Sequence, residues 1–293
     1  MLFSELISHP VYRASPGDNH VASAFLAVSS LSLERDFDFF LSRQSPATCD
    51  WILQSAEFKV WMEGPQQSIL WMHAKPGTGK SVLASHLIRH LVRTVPAVQY
   101  FFFQSADQAK RTIRFFLRSL AVQLSNKFPA FQRALLDCVR PSGLKPLESD
   151  WETIWRRVFE ETFFTLDLTT PVYWVIDGLD EAEEPEKLVQ ALRSIKAANM
   201  PIRIVLVGRW SESVSLEFER AASVLPVFEF SFSVNERMVD VLTYTRQVLG
   251  ELPWPETLKN RVTRFIKETA DGVFSLGPSA SRGFEALLHR ATS

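Results

Sequence analysis

Hydrophobic positions along the chain fall into two rhythms: short unbroken apolar runs, and longer stretches with an apolar residue every three to four positions. The runs at 68–74 (SILWMHA), 97–105 (AVQYFFFQS), 171–177 (PVYWVID) and 202–208 (IRIVLVG) lie between turn-forming residues and suit strands buried on both faces. The helical rhythm occupies 21–42, 48–64, 80–94, 112–128, 150–166 and 184–200. Its stripe is Val82, Leu83, Leu87, Ile88 and Leu91 in 80–94, and Trp151, Ile154, Trp155, Val158 and Phe159 in 150–166. Strands alternating with helices predict an α/β fold with a mostly parallel sheet covered by helices on both faces.

The pattern changes beyond Gly208. Residues 223–232 read as an edge strand, and 234–250 and 255–274 as two amphipathic helices forming a small helical subdomain. Residues 9–20, with Pro, Gly, Asp and Asn, read as a loop, and 275–293 is rich in Ser, Gly and Ala with weak periodicity. No internal repeat is present.

Composition narrows the class. A chain of 293 residues that is 46% hydrophobic, with 23 Phe and 8 Trp, can fill a large core, which excludes global disorder. Its 32 basic and 33 acidic residues leave a net charge of −1, without the overall basic bias of nonspecific nucleic-acid binders, so no nucleic-acid partner is expected. Cys49 and Cys138 fit no metal-ligand spacing and read as reduced packing thiols. No apolar segment reaches the roughly 18 residues of a membrane helix, and the expectation is a cytoplasmic protein without a membrane segment.

The chemistry concentrates after the first apolar run. Pro76-Gly77-Thr78-Gly79-Lys80-Ser81 joins a predicted strand to a predicted helix, the context that a phosphate-binding loop requires. Two glycines let backbone N–H groups turn inward around phosphate oxygens, and the helix N-terminus adds its positive end. Lys80 would reach the β- and γ-phosphates, and Ser81 would give its hydroxyl oxygen to Mg²⁺. Ala74 stands where the usual pattern has its first glycine, which costs one methyl group at negative φ and strains the loop at positive φ.

A second apolar run ends in Asp177-Gly178-Leu179-Asp180-Glu181. A carboxylate at the end of a neighbouring strand suits magnesium, the role expected of Asp177, while Asp180 or Glu181 would orient or deprotonate the attacking water. Glu183, Glu184 and Glu186 read as acids at a helix N-terminus. Arg209, at the end of 202–208, is either a γ-phosphate ligand or a surface arginine. His73 and Phe101 to Phe103 read as structural, and Arg111 and Arg114 as either solvated or phosphate-facing. No Asn-Lys-x-Asp string for guanine is present, which makes adenine the default base while ATP and GTP both stay open.

Together TCDWIL, FKVWMEG, SILWMHAKPGTGKSVLASHLI, VQYFFFQS, YWVIDGLDEAEE and IRIVLVGR resemble the NACHT-type NTPases of filamentous fungi, including the nephrocystin-like N-terminal domains, over about 47–274. The resemblance implies a signal-transducing P-loop NTPase of the STAND class, in which nucleotide exchange switches a closed monomer to a signalling oligomer. It implies phosphate and magnesium binding by Gly77, Gly79, Lys80 and Ser81, magnesium binding by Asp177, water activation by Asp180 and Glu181, and γ-phosphate sensing by Arg209. Gly208 and Trp210 flank Arg209 where many relatives have Ser and Pro, and after Phe274 the sequence departs from the family's usual apolar continuation.

The organisation expected is an N-terminal helical or linker segment over 1–57, a nucleotide-binding domain over 58–215, a helical lid over 216–274 and a divergent tail over 275–293. Three functions fit: a slowly hydrolysing switch that binds a nucleoside triphosphate and meets itself or a signalling partner, a catalytically inactive nucleotide-binding or interaction scaffold, and, less well, a small-molecule kinase, for which no acceptor-binding segment is evident.

Overall fold

The computed structural model describes residues 30–139, 149–198, 200–232 and 234–269. Its centre is a parallel sheet of β1 (Ser68–His73), β2 (Ala97–Phe102), β3 (Val172–Asp177), β4 (Ile202–Gly208) and β5 (Val227–Ser231), in the order β2-β3-β4-β1-β5. All residues of β1, β3 and β4 are buried, because both faces of the sheet are covered. β5 is an edge strand and more exposed, as the sequence predicts.

The helices of the first half are α1 (Ser30–Leu41), α2 (Ala56–Glu63), α3 (Lys80–Thr94), α4 (Ile113–Lys127) and α5 (Pro129–Val139). Those of the second half are α6 (Trp151–Ile154), α7 (Pro185–Leu192), α8 (Glu212–Ala222), α9 (Val234–Glu251) and α10 (Glu256–Thr269). Successive strand residues point to opposite faces and so build two cores. Leu70, Met72, Val175, Val205 and Val207 pack with Leu83, Leu87 and Leu91 of α3 and with Phe58 and Trp61 of α2. Ile69, Trp71, Trp174, Ile204 and Leu206 pack with Phe116 and Leu120 of α4, Leu188 of α7 and Phe218 of α8.

Three helices predicted as continuous are broken. The stretch 150–166 is α6, then a π-helical turn Trp155–Glu160, then a 3₁₀ turn Phe163–Thr165. The widened turn shows in the Glu161 N–H donating to the Arg156 carbonyl at 2.8 Å and the Thr162 hydroxyl donating to the Arg157 carbonyl at 2.7 Å, both five residues back. It brings Trp155 onto Phe159 in a stack with centroids 5.2 Å apart, and Phe159 and Phe164 onto Trp174 of β3. The stretch 48–64 is a 3₁₀ turn Asp50–Gln54 followed by α2, whose N-terminus is capped by the Ser55 hydroxyl accepting from the Phe58 N–H. α7 gives way to a 3₁₀ turn Arg193–Ala197. α5 and α8 have no counterpart in the sequence expectation.

α9 and α10 hold each other through Leu249, Leu258 and Val262. Asp240 of α9 ties them to the segment that precedes β1: its carboxylate accepts from the Cys49 N–H at 3.1 Å and from the Trp51 indole N–H at 2.8 Å. Among the described residues no helix is long and apolar enough to cross a membrane. The loop expected at 9–20, the start of the helix expected at 21–42, residues 270–274 of the last predicted helix and the tail 275–293 lie outside the described residues.

Candidate functional site

β1 and β4 are neighbours, yet the chain leaves β1 through α3 on one face of the sheet and leaves β4 through α8 on the other. Such a divergence opens a crevice beyond the carboxyl ends of the strands. The loop after β1 lies there. Gly77 and Gly79 have φ of 75° and 81°, the left-handed region that glycine enters without strain, and Gly79 is the N-cap of α3. Among the described residues the non-glycine positions with positive φ are Ala47 and Cys49, so Ala74 keeps an ordinary backbone and its missing glycine carries no strain. Lys80 folds over the loop and donates to the carbonyls of Ala74 at 3.2 Å and Lys75 at 3.0 Å. Burial holds its ammonium below the usual lysine range, opposed by the carboxylates of Asp180 and Asp177.

Asp177 ends β3 with 3% of its surface exposed. Burial pushes its carboxyl up to about 7, against the hydrogen bond from Ser81 and the charge of Lys80. Its Oδ1 has no hydrogen-bond partner. A buried carboxylate oxygen left this way is costly unless something else meets it.

Gly178 turns the chain at φ 74°, and a Cβ there would stand 2.7 Å from the Phe103 carbonyl oxygen. The 3₁₀ turn Leu179–Glu181 is thereby pressed against the loops after β2 and β4. Asp180 accepts from the Arg209 N–H at 2.8 Å and from Arg209 Nε at 3.0 Å. Glu181 Oε2 accepts from the Ser105 N–H at 2.8 Å and from the Ser105 hydroxyl at 3.1 Å.

Every residue expected to meet phosphate, magnesium or the attacking water lines one cleft of about 270 Å³: Pro76, Gly77, Thr78, Gly79, Lys80 and Ser81, with Asp177, Asp180, Glu181 and Arg209. Sequence reasoning missed Phe40 and Arg43, which line it from the end of α1 and the turn beyond. The run Phe37, Phe39 and Phe40 was a signal that the segment packs, but nothing in it points to the cleft. A larger open hollow of about 410 Å³ beside Asp137, Arg157 and Glu161 contains none of the predicted groups.

The remaining candidates fall outside the cleft lining. His73 Nε2 meets Glu229 of β5 at 2.8 Å, and Phe101, Phe102 and Phe103 are core. Arg111 pairs with Glu183 at 2.9 Å. The acids expected at a helix N-terminus stand there, Glu184 at the N-cap of α7 and Glu186 in its first turn, but the cap itself is not made by a side chain. Glu184 occupies the N-cap of α7 without a side-chain cap bond and pairs with Lys187, Glu183 is held by Arg111, and Glu186 accepts from the Ser213 hydroxyl. Each of the three acids is thus taken by a side-chain partner, while Pro185 at the helix start has no N–H to cap.

The sequence model for the nephrocystin 3 N-terminal domain matches residues 47–209, more than half of the chain and all of both motifs. The chain belongs to the nephrocystin 3 N-terminal family. Among curated proteins it is similar to the vegetative incompatibility protein HET-E-1 of Podospora anserina, 26% identical over 178 residues, which is 58% of this chain and 13% of the relative. The chain thus spans a small part of that relative's length. Among solved structures, domain III of the Thermotoga maritima replication initiation protein DnaA is similar at 14% identity and TM-score 0.36, covering 83% of this chain and 84% of that one. PCH-2 of C. elegans is similar at 12% identity and TM-score 0.34, covering 92% of this chain and 61% of that one. Membership of the nephrocystin 3 N-terminal family, with the phosphate loop and the Asp177 strand at one cleft, makes this an α/β P-loop domain of the nucleotide-binding NTPase kind. α1 lies upstream of the family match, so Phe40 and Arg43 are additions to the cleft from outside it.

Proposed function

We propose that the chain binds a magnesium complex of a nucleoside triphosphate, ATP or GTP, in this cleft and hydrolyses it slowly as a switch read by self-association or by a signalling partner. The observation that carries this reading is the unpartnered, buried Asp177 Oδ1 beside Ser81, at the mouth of a loop whose two glycines take left-handed φ. A hydroxyl and a carboxylate are hard oxygen donors that fit Mg²⁺. Among the described residues no group of three or more His, Cys, Asp or Glu could hold a metal alone, so phosphate and water would supply its other ligands. Bound there, the ion would offset polyphosphate charge.

Pro76 and Thr78 shape the loop, Gly77 and Gly79 expose its N–H groups, and Lys80 exchanges the carbonyls of Ala74 and Lys75 for β- and γ-phosphate oxygens. Asp180 steadies Arg209, whose guanidinium meets the γ-phosphate at the cleft rim. Glu181 takes a proton from water as that oxygen bonds to the γ-phosphorus. The bond from phosphorus to the bridging oxygen breaks, releasing nucleoside diphosphate and inorganic phosphate. In this reading the nucleotide-binding domain expected at 58–215 extends through α8, which packs on the sheet, and β5, which is part of it, and the lid expected at 216–274 is the helix pair α9 and α10.

The Ser105 bonds to Glu181 Oε2 leave one carboxylate oxygen for a water, which supports a slow rate and keeps a second reading open, a nucleotide-binding scaffold without turnover. The test is mass spectrometry of the nucleotide that copurifies with the chain, with Lys80→Ala as control. A triphosphate or diphosphate from the native chain, and binding weaker by about 100-fold or more in Lys80→Ala, support the reading. Unchanged binding by Lys80→Ala sinks it. Turnover by the native chain no faster than that of Glu181→Ala selects the scaffold.

A further inference from the structure

Arg43 belongs to no motif and precedes the family match, yet it lines the cleft with Gly77, Gly79 and Lys80. We propose that Arg43 is a polyphosphate ligand of this site, a cation delivered to the nucleotide by the N-terminal helix α1. The inference rests on the nucleotide reading above and adds a residue to it.

The first support is how firmly the segment on either side of Arg43 is held. Asp36 and Lys110, both largely buried, pair at 2.6 Å, Phe37 packs on Tyr100 with centroids 5.5 Å apart, and Phe40 packs on Phe102 at 5.0 Å. One residue beyond Arg43, the Gln44 amide donates to the Thr48 carbonyl at 2.7 Å and meets His86 Nδ1 of α3 at 2.8 Å. Burial, first, and the Arg89 charge hold the His86 imidazole down at about 4, so it is neutral at physiological pH and Nδ1 accepts from the amide. The backbone at Arg43 is therefore fixed between Phe40 and Gln44. A side chain carried on a fixed backbone loses less freedom on meeting a ligand.

The second support is charge. Three cations line the cleft, and two are engaged: Arg209 by Asp180, and Lys80 by two loop carbonyls. The Arg43 guanidinium lies 3.6 Å from the centroid of the exposed Phe39 ring and forms no ion pair among the described residues. A guanidinium parked on an exposed aromatic face keeps its N–H fork available, and that fork matches phosphate oxygens. A bound polyphosphate offers it stronger partners than the ring does.

The experiment is calorimetric titration of the native chain, Arg43→Gln and Arg43→Lys with Mg-ATP and with inorganic tripolyphosphate, after melting curves show the variants as stable as the native chain. Because Arg43 is exposed, its replacement leaves the core intact. Arg43→Gln is expected to weaken both ligands about 10-fold, and Arg43→Lys, which keeps the charge, less than about 3-fold. Equal affinity of Arg43→Gln and the native chain overturns the proposal while leaving the nucleotide reading intact. So does a loss confined to Mg-ATP, which would put Arg43 against the base or sugar. Failure of the native chain to bind either ligand overturns both.

Discussion

Two buried carboxylates mark two regions of this molecule, the junction of α9 with residues 49–51 and the cleft, and their surroundings differ in one respect. Asp240, where α9 meets residues 49–51, has both oxygens taken by the Cys49 N–H and the Trp51 indole. Asp177, at the head of the sheet, leaves Oδ1 without a partner. Burial raises the proton affinity of both above the ordinary aspartate range. A carboxylate with its hydrogen bonds complete fastens two parts of the chain, whereas one left incomplete in a cleft is prepared for something from solution. The same residue type thus separates the structural junction from the open cleft.

The largest effect expected is on ligand binding. Asp177→Asn should weaken Mg-nucleotide binding about 30-fold or more while leaving binding measured in excess EDTA within about 3-fold, and equal losses in both conditions would remove magnesium from the role of Asp177. Because a hard cation needs the ionised form, magnesium-dependent affinity should fall as pH drops through about 7 in the native chain and be flat in Asp177→Asn. The matching stability effect has the opposite sign. With a folded value of about 7 against 3.8 when unfolded, the protonated carboxyl favours the fold, so the contribution of Asp177 to metal-free stability is fully present in acid and is lost as pH rises through that interval. Asp177→Asn should then raise the metal-free melting temperature at pH 8 by a few degrees, of the order of 1 kcal/mol or more. A lower melting temperature would show Asp177 to be a fastener like Asp240.

Next comes the fastener itself. Asp240→Ala strands the Cys49 N–H and the Trp51 indole, and chemical denaturation should show a loss of about 2–3 kcal/mol with the magnesium requirement unchanged. Gly178→Ala should cost about 1–3 kcal/mol, since it adds positive-φ strain and a clash with the Phe103 carbonyl, and should lower nucleotide affinity as well because the turn carries Asp180 and Glu181. The smallest effect belongs to Ser105→Ala. Releasing Glu181 Oε2 should change phosphate release in a turnover assay by about 2- to 5-fold with little change in nucleotide affinity, and a pure affinity change would assign Ser105 to binding instead.

The mouth was far more legible in the sequence than the junction. A strand, two glycines at fixed spacing and a helix beginning at Lys80 are consecutive, so local pattern was sufficient for β1, the loop and α3. β4 also stands where its apolar run lies. Asp240 meets its partners across 191 and 189 residues of sequence, which no local rhythm encodes. α8 escaped notice because a polar residue sits on its buried face: Glu217 lies beside Val214, Phe218 and Ala221, compensated by Arg193 and Arg220. The break at Trp155–Glu160 escaped because aromatic residues at helical spacing also satisfy a widened turn. Arg43 was invisible for a further reason, since its relevance comes from where Phe40 and Gln44 anchor the turn around it.

The position of β1 between β4 and β5 has a consequence for synthesis. The strand that carries the phosphate loop finds its first hydrogen-bonded neighbour in residues 203–208 and its second in 227–231. Until the ribosome has passed residues 203–208, Ile69, Leu70, Trp71 and Met72 have no neighbouring strand to pair with. During that interval a strand destined to be buried on both faces stays unpaired, exposed to premature pairing with other chains.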